Sequence, residues 1–78
     1  MSGQLTLYYR QECHLCEDMV THLGRLHGEL AFELDLVDID KDPVLRQRYN
    51  EQVPVLVQGP TVLSRFFLDE ASLRTALT

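Results

Sequence analysis

Apolar residues fall along this chain in short blocks whose periods predict seven elements in succession. Leu5-Thr6-Leu7-Tyr8-Tyr9 is β-prone and sets Leu5, Leu7 and Tyr9 on one face, predicting a first strand. From Cys16 the apolar positions Cys16, Met19, Val20, Leu23 and Leu26 recur at spacings of three and four, an amphipathic helix with Gly28 as its C-terminal stop. Glu17 and Asp18 suit the first turn of that helix, where the dipole is positive. Residues 31–39 predict a second strand. Phe32, Leu34 and Leu36 are expected inward, with Ile39 a further inward candidate, and Glu33, Asp35 and Asp38 outward. Asp42-Pro43 reads as a cap followed by proline at the first helical position. It opens a short helix, residues 43–49, that stacks Leu45 on Tyr49 and ends at Asn50. Val55-Leu56-Val57 predicts a third strand, Gln58-Gly59-Pro60 a turn, and residues 61–66 a fourth strand. Asp69 then caps a final helix carrying Ala71, Leu73, Ala76 and Leu77.

The order β-α-β-α-β-β-α constrains the topology. Strands one and two are joined through a helix, so they should run parallel with a right-handed crossover. Strands three and four are joined by a tight turn, so they should be antiparallel. The expected fold is α/β, a mixed four-stranded sheet flanked by helices. At 78 residues the chain is expected to form one domain, residues 1–78.

Charge narrows the function. Twelve acidic against seven basic residues leave a net charge of −5, and the basic set, six arginines and Lys41, is scattered. Neither nucleic acid nor an anionic membrane is expected as a partner, because both call for a concentrated positive field. With 45% hydrophobic residues the chain can build a core. Met1-Ser2-Gly3-Gln4 has no basic leader region, and the apolar run from Leu5 to Tyr9 is too short for a signal peptide. A cytoplasmic monomer is the expectation. In that compartment thiols stay reduced unless they are catalytic or sensing.

The two cysteines, Cys13 and Cys16, stand three apart. A disulfide between them would close too short a loop to remove much unfolded-chain entropy, so its value would be chemical. Cys13-His14-Leu15-Cys16 falls where the first strand feeds the first helix. A thiol there faces unpaired backbone N–H groups and the positive dipole end, which favour thiolate. Cys13 is therefore expected to be the exposed nucleophile, and Cys16, on the apolar face, the resolving thiol. A Cys-x-x-Cys near a β-α-β pattern is a redox signal. The alternatives are two core cysteines at this spacing by chance, or a metal site completed by His14, His22 or His27. Cys-x2-Cys-x5-His-x4-His is much shorter than zinc-finger spacing, and His22 and His27 point to different sides of a helix. Both histidines are expected on the helix surface.

Tyr8-Tyr9-Arg10 before Cys13-His14-Leu15-Cys16-Glu17-Asp18-Met19, then Val37-Asp38-Ile39-Asp40 and Gln52-Val53-Pro54-Val55-Leu56, together resemble a glutaredoxin. More narrowly, the chain is similar to small bacterial glutaredoxin-like proteins of unassigned function within the thioredoxin superfamily. The resemblance implies a thioredoxin/glutaredoxin-like fold and a cis peptide before Pro54, opposite the dithiol. A cis X-Pro bond makes a fixed turn and keeps an amide N–H away from the sulfurs. It also implies that Val53 and Pro54 dock an extended substrate, with Arg10, His14 and Leu15 in the substrate-facing set. Arg10 stands where relatives often carry lysine, and it could bind a glutathione carboxylate bidentately. The pattern also departs from that of a glutaredoxin. Cys-Pro-Tyr-Cys has become Cys-His-Leu-Cys, and Gln52 replaces threonine. Ser64-Arg65-Phe66-Phe67-Leu68 stands where a Gly-Gly and acidic pair would hold glutathione. Asp69 is expected to be a helix cap, and the phenylalanines core residues.

Three functions follow from the resemblance. The first is a thiol-disulfide oxidoreductase acting on protein or glutathione mixed disulfides in cell redox homeostasis, with glutathione a co-substrate and no tightly bound cofactor. The second is a glutathione-independent electron carrier serving a reductase or one dedicated protein partner. The third is a non-enzymatic module that holds a metal or iron–sulfur cluster on the cysteine pair. For the redox readings, Arg10 and His14 favour the Cys13 thiolate while Glu12, Glu17 and Asp18 oppose it. The expected Cys13 pKa is moderately lowered, nearer the thioredoxin case (around 7) than that of a strong oxidant, and a thiolate absorbance titration with a midpoint below about 5 would contradict this balance.

Overall fold

The computed structural model describes residues 3–78; Met1 and Ser2, at the start that was read as leaderless, lie outside the described residues. Its elements run β1 (Gly3–Tyr9), α1 (His14–His27), β2 (Phe32–Asp38), α2 (Pro43–Tyr49), β3 (Val55–Gln58), β4 (Thr61–Arg65) and α3 (Glu70–Leu77), with a 3-10 turn at Ile39–Lys41 between β2 and α2. The sheet order is β2-β1-β3-β4. β1 pairs with β2 in parallel, Leu5 opposite Leu34, and antiparallel with β3, Leu7 opposite Leu56. β3 and β4 are antiparallel, turning at Gly59, whose φ of 56° lies in the left-handed region that suits glycine. The expected α/β architecture is therefore the one observed.

The buried residues form two clusters. Leu5 and Leu7 of β1 meet Met19, Leu23 and Leu26 of α1, Phe32, Leu56 and Leu73 in the larger one. The smaller holds Cys16, Ile39 and Val53, with Tyr8, Tyr9, Cys13, Leu45 and Tyr49 packed against it. Tyr8 stacks on Tyr49 with ring centroids 4.6 Å apart, which fastens α2 to the sheet. No residue of α2 is fully buried, so its start depends on the Asp42 cap, which accepts the Val44 N–H at 2.9 Å, and on Pro43. The second cluster thus gathers around the cysteine pair.

Several positions differ from expectation. Leu36 is 51% exposed, because β2 is an edge strand paired with β1 alone. Asp38, expected outward, is only 9% exposed. Its carboxylate accepts the Asp40 N–H at 2.9 Å and a Gln11 side-chain N–H at 3.3 Å, so it caps the 3-10 turn instead of facing water. Ile39 opens that turn, and the strand therefore ends one residue early. β4 likewise stops at Arg65, because Phe66 takes a left-handed φ of 67°. Val20 lies on the exposed edge of the α1 stripe.

α3 is tied to the core by Leu73, its one fully buried side chain. Leu73→Ala should cost about 2–5 kcal/mol, measured by chemical denaturation. A loss within about 0.5 kcal/mol, the range of a surface substitution, would contradict this role for α3.

Candidate functional site

The β1–α1 connection sets the two cysteines in unequal surroundings. Glu12 takes a left-handed φ of 55°, and Cys13 follows in extended conformation as the N-cap of α1. The cap geometry brings the Cys13 Sγ to the N–H of Cys16, which donates to it at 3.2 Å. The Cys13 carbonyl accepts the N–H of Glu17 at 3.0 Å, the first hydrogen bond of the helix. Cys13 and Cys16 are joined as a disulfide, their Cα atoms 5.2 Å apart. Cys16 is 2% exposed and belongs to the smaller core cluster, whereas Cys13 is half-buried at its surface. A cleft of about 370 Å³ opens beside the pair, lined by Tyr9, Arg10, Glu12, Cys13, Cys16 and Val20 among others. An attacking sulfur would find access at Cys13, and a helix N-terminus is already aimed at that sulfur.

Val53 and Pro54 are buried, and the peptide between them is cis, as the resemblance implied. The Pro54 carbonyl accepts the N–H of Phe66 at 2.9 Å, which ties the proline loop to the end of β4. Val53 also packs in the cluster that holds Cys16.

Arg10 lines the cleft, but its guanidinium is engaged elsewhere. Nε and Nη2 donate to the two carboxylate oxygens of Asp40 at 3.1 and 2.7 Å, while Nη1 donates to the carbonyl and the side-chain oxygen of Asn50, both at 2.9 Å. This fork clamps the β1–α1 loop to the 3-10 turn and to the end of α2. The hydrogen bond from Arg10 holds the Asp40 carboxyl below its ordinary range and raises the arginine in return. Asp40 and Asn50 were not singled out in the sequence. Asp40 belongs to the Val-Asp-Ile-Asp motif, but nothing local in the chain pairs it with an arginine thirty residues away.

His14 is exposed, with its ring 3.9 Å from Glu17 and 3.6 Å from Asp18 on the outer face of α1. Such surface pairs contribute little to stability. Leu15 is half-buried and lines a second cleft, separate from the one that holds the cysteines. His22 pairs with Glu70 at 3.4 Å and His27 meets Phe32 edge-on, so the two histidines have different neighbours on α1. Among the described residues no group of three His, Cys, Asp or Glu is placed to hold a metal ion.

The phenylalanines are the main correction at the site. Expected in the core, Phe66 is 41% and Phe67 70% exposed, and neither joins either core cluster. The left-handed backbone at Phe66, which costs a non-glycine residue about 1–2 kcal/mol, turns the chain out of β4 too early for either ring to fold inward. A Phe-Phe pair reads as core by hydropathy, and only the turn reverses it. Asp69 does cap α3, accepting the Ser72 N–H at 3.1 Å and its hydroxyl at 2.8 Å, and these bonds lower its pKa.

Residues 4–78 match the family model described as a glutaredoxin-like domain, DUF836. The chain belongs to this glutaredoxin-like family. It is 35% identical to a Nitrosomonas europaea protein whose solution NMR structure superposes with a TM-score of 0.88, over 100% of this chain and 94% of that one. An X-ray structure of a protein from X. campestris is also 35% identical, with a TM-score of 0.73 over 91% of each chain. Uncharacterized proteins of Mycobacterium tuberculosis and Mycobacterium bovis are 29% identical over 76 residues, covering 91% of this chain and 78% of each relative. Fold and family thus agree with the redox character of a disulfide-bonded cysteine pair.

The Arg10 clamp has a pH signature. Because folding lowers the Asp40 carboxyl, the stability it contributes is present above the ordinary carboxylate range and is lost as pH falls through the depressed value. In Arg10→Ala the Asp40 carboxyl should titrate higher by NMR, and amides of residues 10–13 should exchange faster. An unmoved Asp40 titration would show that the clamp does not set it.

Proposed function

We propose that this protein is a thiol-disulfide oxidoreductase of glutaredoxin-like type that exchanges its Cys13–Cys16 dithiol with disulfides of other proteins. The observation that carries the reading is the disulfide itself, formed between a half-buried N-cap sulfur and a buried one three residues on. In the reduced protein the Cys13 thiolate attacks one sulfur of a substrate disulfide. A Cys13–substrate disulfide forms and the other substrate sulfur leaves as thiolate. Cys16, deprotonated, then attacks the Cys13 sulfur, so the Cys13–Cys16 disulfide forms and the second substrate thiolate departs. Two electrons have passed from the dithiol to the substrate. Two thiol equivalents, from glutathione or from a reduced protein dithiol, return the pair to the starting state.

Each residue of the site has a role in this scheme. The Cys16 N–H and the start of α1 stabilise negative charge on the Cys13 sulfur, in the attack and again when Cys13 leaves. Burial of Cys16 keeps it from competing for substrate and places it against the mixed disulfide. Val53 and Pro54 form the docking edge, and Leu15 and His14 face the incoming chain.

One observation favours a protein dithiol over glutathione as the reductant. The arginine that would take a glutathione carboxylate is already bound by Asp40 and Asn50. Glu12, Glu17 and Asp18 add negative charge near the dithiol, which opposes an anionic thiol. We read the protein as a cytoplasmic electron carrier that acts as a monomer. No helix among the described residues is long and apolar enough to cross a membrane.

Disulfide reduction measured with thioredoxin and its reductase should exceed that with glutathione and its reductase. Cys13→Ser should abolish both, while Cys16→Ser should accumulate a mixed disulfide detectable by mass. Turnover in neither system would overturn the redox reading, and turnover with glutathione alone would overturn the preference for a protein reductant.

A further inference from the structure

The exposed phenylalanines have no function in the exchange chemistry and no place in the core, yet they stand close to it. Leu15, between the two cysteines, and Met19 on α1 line a cleft of about 140 Å³ together with Phe66, Phe67 and Leu68; Asp18 and His22 complete its wall. A tight turn holds the aromatic side of this cleft. Phe66 is left-handed and donates its N–H to the Pro54 carbonyl, and Phe67 donates to the Arg65 carbonyl at 2.6 Å. The cleft is therefore tied at one wall to the dithiol segment and at the other to the proline loop. Its volume is below the range of about 300–1,000 Å³ typical of small-molecule pockets, and suits one side chain.

We infer that Leu15, Phe66 and Phe67 form a specificity seat for a bulky apolar side chain of a basic polypeptide substrate, carried near that substrate's disulfide. This rests on the dithiol-exchange reading and names its substrate class. The apolar component follows from the two exposed rings. The basic component follows from charge complementarity: Glu12, Glu17 and Asp18 are exposed around the start of α1, on a chain of net charge −5. Of the basic residues nearby, His22 pairs with Glu70 at 3.4 Å, Arg65 donates to the neutral Gln52 side chain at 3.0 Å, and Arg25 lines a neighbouring cleft with Asp18 and His22, so the negative side is carried by the three carboxylates at the helix start. An acidic partner would meet like charge, whereas a basic one would be steered in.

The test compares synthetic peptides, each bearing one cysteine as a mixed disulfide with 2-mercaptoethanol. One has leucine and lysine beside the cysteine, a second has serine in place of leucine, and a third glutamate in place of lysine. Bis(2-hydroxyethyl) disulfide serves as a reference for the parent protein. The parent should favour the leucine-lysine peptide in kcat/KM by about tenfold over the serine peptide, and over the glutamate peptide by a margin that shrinks with added salt. In Phe66→Gly with Phe67→Ala the leucine preference should fall toward unity. Glycine accepts the left-handed backbone at position 66, and the single Phe67→Ala variant, which removes a largely exposed ring, should lose part of the preference. A leucine preference absent in the parent, or intact in both variants, overturns the seat, and equal rates for the lysine and glutamate peptides overturn its basic partner. No reaction of the parent with any of these disulfides, including the reference, would instead sink the exchange reading beneath it.

Discussion

The start of α1 is the constraint on which the rest depends. Cys13 caps the helix and receives the Cys16 N–H on its sulfur, so one turn of backbone both aims the helix N-terminus at the first cysteine and places the second three residues on, in the core. A cysteine one position earlier would miss the cap. One position later, the second would leave the apolar face of the helix. Much of the neighbouring structure holds this turn in place: the Glu12 bend, the Arg10 fork to Asp40 and Asn50, and the small cluster in which Val53, Ile39 and Tyr49 surround the pair.

The electrostatics of the site are a balance more than a uniform field. The helix end favours a thiolate, while Glu12, Glu17 and Asp18 weigh against it. Arg10 donates its hydrogen bonds to Asp40 and Asn50 and so serves the structure of the loop. In the proposed exchange, this balance opposes anionic ligands and favours cationic ones. The acidic character noticed in the composition therefore bears on which partner the dithiol would meet.

Much of this is legible in the sequence. The strand alternation, the Asp42-Pro43 and Asp69 caps, the helix from the cysteines to Gly28 and the parallel β1–β2 pairing all follow from local patterns, because period and capping chemistry are local properties. The disagreements arise where a long-range or conformational choice decides. Leu36 reads as inward but sits on an edge strand, which strand order alone reveals. Asp38 reads as outward but finds the Asp40 N–H in a turn whose existence its own capping creates. Phe66 and Phe67 carry the hydropathy of a core and are displaced by a single left-handed residue. Arg10 could be seen as a binding candidate, but its partners are thirty and forty residues distant and gave no local signal.

The central claim is that the N-cap placement makes Cys13 the reactive thiol and Cys16 the shielded one. The most direct measurement is the rate of iodoacetamide alkylation at each cysteine of the reduced protein near neutral pH, resolved by peptide mass spectrometry. The account predicts that Cys13 is modified first, by a factor of about ten or more, with Cys16 reacting only as the protein opens. Equal rates at the two sulfurs, or faster modification of Cys16, would contradict it.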